Sequence, residues 1–165
     1  MRKILLSMKP YWFEKIMSGE KIYEYRTRFA SEELEAYVYV SQPVCAITGL
    51  LHLGRKEYLK TWREENYENE ELVKRIDAYM ERGNKVAMPV LRYQYTNQIG
   101  LKELREEVKT FVVPQSYYYL EEEGELLKYI NENLIFEGFE RCNKINREDI
   151  DEKCRDYRNE KRLFR

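Results

Sequence analysis

Histidine is nearly missing from this chain: His52 stands alone among 165 residues, beside three cysteines, Cys45, Cys142 and Cys154. No C-x-x-C pair occurs, so the material for a zinc site is poor, and no metal is expected. The cysteines read as reduced thiols in a cytoplasmic protein. Long apolar runs are missing too. The opening MRKILLSMKP has a basic end, but its apolar stretch is too short for a signal peptide. Nothing elsewhere approaches the roughly 20 apolar residues that span a bilayer, so no membrane association is expected. Excess charge of either sign is absent, with 29 Lys+Arg against 30 Asp+Glu and a net charge of −1. That balance argues against attachment to nucleic acid by bulk charge alone and leaves a local basic cleft as an electrostatic route. No internal repeat or low-complexity linker interrupts the chain.

What is present is apolar and aromatic. Hydrophobic residues make up 43% and aromatic residues 14%, enough to bury a core, and the length suits one domain with an appendage. The 15 tyrosines must sit half-buried with wet hydroxyls, or line a groove. Residues 2–8 predict a buried strand, and Pro10 then suits a first helical turn. Trp12, Phe13, Ile16 and Met17 share a helix face, and Gly19 ends that helix. Strands follow over 19–28, 35–41 and 44–53; Gly49 in the last suggests a bulge or close backbone approach. Helices are expected over 56–67 and 69–82, the second capped by Asn69, striped by Leu72, Val73, Ile76 and Met80 and stopped at Gly83. Residues 85–95 predict a fifth strand, with Pro89 placing it at an edge or bulge. A helix over 101–111 and mixed helical signals over 117–133 complete the pattern. Beyond Cys142 the chain is almost entirely charged, with Ile145, Ile150, Tyr157, Leu163 and Phe164 as its few apolar anchors. The mixed-sign run 146–162 reads as a solvated helix. Five strands interrupted by helices point to a small, strongly curved α+β barrel.

The stretch GEKIYEYRTR, residues 19–28, alternates strangely. One register carries Glu20, Ile22, Glu24, Arg26 and Arg28; the other carries Lys21, Tyr23, Tyr25 and Thr27. Tyr23 and Tyr25 are the candidates for a core-facing side. Glu24 and Arg26 fall about 7 Å apart on the other, from two strand rises of ~3.3 Å. The ordinary fate of such a pair is a solvent-facing salt bridge worth little. If buried, Arg needs a carboxylate or carbonyls and Glu needs donors.

The segment LLSMKPYWFEKIMSGEKIYEYRTRF resembles the opening of an ASCH domain, a member of the PUA-like superfamily. The family's G-x-K-x-x-E-x-R stretch is matched by Gly19, Lys21, Glu24 and Arg26. Its S-x-K-P helix entry is matched by Ser7, Lys9 and Pro10. A strand ending in Ser-x-Pro is matched by Ser41 and Pro43, and an aromatic-x-x-x-Gly element fits loosely at Tyr79 and Gly83. The similarity covers roughly residues 2–120 and is strongest in the first 55. It implies a PUA-like curved mixed β-barrel over 1–120 with flanking helices, and leaves 121–165 as a helical, highly charged C-terminal extension. It also implies a cleft beside the first helix, suited to RNA or a nucleotide and needing no cofactor. Lys9, Lys21, Glu24, Arg26, Arg28 and Ser41 are the residues expected there. The Arg fork suits a phosphate or base edge, and Glu accepts from an exocyclic amine. Lys21 is expected at the mouth, and Lys9 at a helix entrance that favours anions.

Two other readings stand beside this one. Some relatives are amidohydrolases of acetylated cytidine or ribonucleases, which would make Lys21 and Glu24 catalytic, with Arg26 as oxyanion donor. The amidohydrolase pattern wants a threonine three residues after its lysine, where this chain has Glu24. Alternatively the charged C-terminus is the interface of a partner-binding regulator. His52, in an apolar strand, reads as a satisfied core or edge histidine. Tyr117, Tyr118 and Tyr119 could stack bases, but Glu121, Glu122 and Glu123 beside them favour packing on the barrel. The oligomeric state is left open.

Overall fold

A computed structural model describes residues 1–155 of the chain. β1 (Lys3–Met8) buries Ile4, Leu5, Leu6 and Met8, so both of its faces meet apolar neighbours. α1 (Pro10–Met17) begins on a proline, whose missing N–H costs nothing in a first turn. Its inner face buries Phe13, Ile16 and Met17, and the chain leaves it through Gly19 at φ +80°. β2 (Tyr23–Arg26), β3 (Leu34–Val40) and β4 (Ala46–Leu53) follow, the last two joined by a turn with a cis Gln42–Pro43 peptide. β5 (Glu57–Tyr58) leads into α2 (Leu59–Glu65) and α3 (Glu70–Glu81). As expected, the Asn69 side chain caps α3, accepting from the Leu72 N–H at 3.0 Å. Then come β6 (Val86–Gly100), α4 (Leu101–Glu107), β7 (Tyr117–Tyr119), α5 (Glu125–Asn133) and β8 (Phe136–Cys142).

The eight strands form one curled half-barrel sheet in the order β2-β6-β4-β3-β1-β7, with β5 and β8 added to β6. β1 pairs β3 in parallel and the remaining pairs are antiparallel, giving the mixed α+β architecture anticipated from the sequence. β6 is the spine. Its first residues pair with β2 and β5, and from Val90 onward it pairs with β4 and β8. Pro89, which has no N–H to give, sits where those partners change. Gly49 behaves as expected: β4 shifts register between Ile47 and Gly49, and α1 lies tight against that glycine.

Three apolar clusters form among the described residues. One lies beneath α1, with Phe13, Ile16, Met17 and the inward residues of β1, β3 and β4. Another packs α4 and α5 on the opposite sheet face around Leu104, Leu127 and Ile130. A third gathers Tyr23, Trp62, Ile76, Tyr79 and Cys154 between β2, α2, α3 and the chain's later part. His52 is buried on β4 and accepts at Nδ1 from the Arg92 Nε–H at 2.9 Å.

Several boundaries differ from the sequence reading. The strand expected over 19–28 spans four residues, because 19–22 turn out of α1 and β2 runs out at Arg26. β6 continues to Gly100 instead of ending near 95, carried on by pairing to β4. Tyr117–Tyr119 is not part of a helical run; it is an edge strand on β1 at Ile4–Leu6, its tyrosines half-buried against the barrel. Among the described residues, the expected helical extension is helical only in α5. β8 follows as a strand exposed along its whole length, held by ladder bonds to β6 and not by burial. From 143 to 155 the chain makes turns, not a solvated helix, and docks through Ile145 and Ile150. Tyr157, Leu163 and Phe164 lie outside the described residues. Among the described residues no helix is long and apolar enough to cross a membrane.

Candidate functional site

β2 buries both of its faces. Tyr23 faces the aromatic cluster, with the Trp62 ring centroid 5.1 Å away in an edge-on contact. Glu24, two-sided alternation later, faces α1 and the end of β1, where a cavity of about 380 Å³ opens. Glu24 is 4% exposed and Lys21 6%, an ion pair at 2.8 Å withdrawn from water. Arg26 closes the group. Its Nε donates to Glu24 Oε1 at 2.8 Å, and its Nη2 donates to the Ser7 carbonyl, also at 2.8 Å. Both carboxylate oxygens of Glu24 are thus taken, one by each cation. Burial pushes the Glu24 carboxyl up, but the Lys21 and Arg26 charges and their hydrogen bonds outweigh it and hold the group below the usual carboxylate range.

Lys21 is not at the mouth, where it was expected. Its ammonium lies 4.8 Å from the Trp12 ring centroid and 5.6 Å from that of Tyr25, tucked between two aromatic rings. Lys9 and Ser41 line the same cavity, at the α1 entrance and at the end of β3. Lys9 is the residue preceding α1 and gives it no side-chain cap. The first-turn amides there have no intrahelical acceptor, so this end of the cavity suits an anion. Arg28 does not join: it is exposed beyond the end of β2 and does not line the cavity.

The structure adds residues that the sequence reading did not place. Arg82 and Asn84 flank Gly83 in the turn after α3, and the Lys85 N–H bond to the Arg26 carbonyl at 2.9 Å draws that turn to the cavity. Gln115 arrives on the loop before β7, tied by the Ser7 N–H bond to the Ser116 carbonyl. Trp12, read only as part of a helix stripe, presents its ring to the cavity, and Tyr25 reaches it from the aromatic side. Only the helix-stop glycine next to Arg82 hinted at proximity; nothing in the sequence marks Asn84 or Gln115. The cavity lining carries four cations, Lys9, Lys21, Arg26 and Arg82, against the one carboxylate of Glu24. Among the described residues no group of three His, Cys, Asp or Glu could hold a metal ion.

No protein-family model matches the chain, and no curated protein matches it. Solved structures do. ASCH from Zymomonas mobilis aligns at TM-score 0.58 and 26% identity, over 78% of this chain and 94% of that one. A tyrosine-to-phenylalanine mutant of the same bacterium's ZmASCH aligns at TM-score 0.59 and 24% identity, over 79% of this chain and 98% of that one.

Proposed function

This chain folds as an ASCH domain, and from that premise we propose that its cleft binds RNA or a nucleotide. The supporting observation is the concentration of charge: four cations and one carboxylate line a single concavity on a chain whose net charge is −1. A cleft of one sign focuses its field and raises the local concentration of an oppositely charged ligand. Lys9 and the opening turn of α1 would take a phosphate, with Arg82 on the same lining. Trp12 offers a ring face on which a base can stack. Ser41, Asn84 and Gln115 supply donors and acceptors for a base edge or ribose hydroxyl. Glu24 orients Arg26 and Lys21 and contributes little net negative charge outward.

The hydrolytic reading has less behind it. Where the amidohydrolase pattern needs a threonine, this chain has Glu24, and both of its oxygens are bonded to cations. Binding of a short single-stranded RNA, followed by fluorescence anisotropy across a salt series, tests the proposal. Affinity should fall steeply with salt, and Lys9→Ala or Arg82→Ala should each lower the slope of log K against log salt by about 1. No binding at low salt, or slopes that ignore both substitutions, overturns it.

A further inference from the structure

Behind the cleft, the turns of residues 143–155 are anchored to β2, α2 and α3 at named points. Ile145 and Ile150 pack on the aromatic cluster, and the Ile150 carbonyl accepts from Arg75 Nη2 at 2.7 Å. The Lys153 ammonium lies 5.1 Å from the Trp62 ring centroid and donates to the Arg147 carbonyl. Cys154 is fully buried, at φ +53°, and its backbone N–H donates to the Tyr25 hydroxyl at 2.8 Å. Tyr25 in turn packs on Tyr79 at 4.5 Å and lines the cleft beside the Lys21 ammonium. An unbroken set of contacts therefore runs from the Cys154 amide through Tyr25 and Lys21 to Glu24 and Arg26.

We infer that Tyr25 is a positioning residue for the cleft, set from behind by the Cys154 amide, so that docking of residues 145–155 and occupancy of the cleft favour one another. The inference rests on the cleft being the RNA or nucleotide site. Tyr25 fixes one of the two rings between which Lys21 sits, and Lys21 shares Glu24 with Arg26. Loss of the Cys154 bond frees the phenol to shift and loosens the seat of the ammonium. A left-handed backbone at a residue other than glycine is strained and persists only while its surroundings hold it. That strain offsets part of what releasing the segment costs. Coupling of two binding events is reciprocal: whatever the docked segment adds to ligand affinity, bound ligand adds to docking.

The three cysteines supply the readout, since Cys142 is exposed, Cys45 is half-buried and Cys154 is sealed. The full chain is alkylated under native conditions and each thiol is followed by mass spectrometry, with and without a short single-stranded RNA at a saturation verified by anisotropy. RNA should slow labelling of Cys154 about five- to tenfold, the worth of one buried hydrogen bond, and leave Cys142 unchanged. Tyr25→Phe keeps the ring and deletes the acceptor. It should speed Cys154 labelling, abolish the RNA effect on it and weaken RNA by a similar factor. Ile150→Ala loosens the segment but keeps the Tyr25 acceptor, so if Tyr25→Phe does not fold it serves instead: Cys154 labelling should speed up and RNA should still slow it. RNA that binds but leaves Cys154 labelling unchanged overturns the coupling and spares the proposed function. RNA that does not bind at low salt overturns both.

Discussion

The two faces of β2 solve the same problem in opposite ways. Tyr23 and Tyr25 pack among Trp62 and Tyr79, where stability comes from ring area and edge-on contacts. Glu24 and Arg26, one residue out of phase, are nearly as deeply enclosed but are held by charge-assisted hydrogen bonds among three ions. The aromatic face can lose a ring and relax. The ionic face cannot lose a member without leaving a charge stranded, because attraction between buried ions repays their desolvation only while every partner is present. A four-residue strand thus carries a tolerant side and an intolerant side, and the intolerant one borders the cleft together with the Tyr25 ring.

Substitutions that break this contrast should rank accordingly. Glu24→Leu strands Lys21 and Arg26 and should cost about 3–5 kcal/mol in urea unfolding at neutral pH. The sign with pH follows from the lowered carboxyl of Glu24. Its contribution is complete above the unfolded carboxylate pKa of about 4.3 and is lost as pH falls through the lower folded value. The gap between wild type and Glu24→Gln should therefore narrow progressively as pH falls below about 4.3, and a gap that did not narrow on acidification would remove Glu24 as its source. Next comes the seat of α1, the other wall of the cleft. A Cβ on Gly49 would fall 2.6 Å from Met17 Cε and 2.9 Å from Phe13 Cε2, so Gly49→Ala should cost about 1–3 kcal/mol. RNA affinity measured on the same variant reports whether the cleft moves with the helix. On the aromatic face, Tyr23→Leu should lose about 0.5–1.5 kcal/mol for the Trp62 ring pair beyond the change in buried area, with RNA affinity unaltered. Smallest is Arg63→Ala, which deletes a surface pair with Asp77 at 2.7 Å and should leave the urea midpoint nearly unchanged.

The contrast also marks how far the sequence could be read. Elements with strong burial periodicity were legible: β1, α1 with its proline start, and α3 with its Asn69 cap and Gly83 stop. β8 was not, because a strand exposed on both faces has no apolar alternation and exists only through its ladder to β6. β7 was hidden for a related reason: three adjacent tyrosines show no period, and the neighbouring glutamates mimic a helix. At the site, the residues on α1, β2 and the end of β3 could be named because a short motif spaces them. Five of the six come together at the cavity, and Arg28 fails because β2 ends two residues before it. Arg82, Asn84 and Gln115 come from turns more than 40 residues further along, whose approach is set by backbone bonds to Arg26 and Ser7 that no side-chain pattern encodes.

β6 serves as a ruler for the whole sheet. It pairs with β2, β4, β5 and β8, so inserting or deleting a single residue within it would send the side chains of every later partner to the wrong side. Length changes should therefore be accepted readily in the loops before β3 or after α4 and scarcely at all between Val86 and Gly100. A library of single-residue insertions scanned along the gene would show that interval as a silent gap.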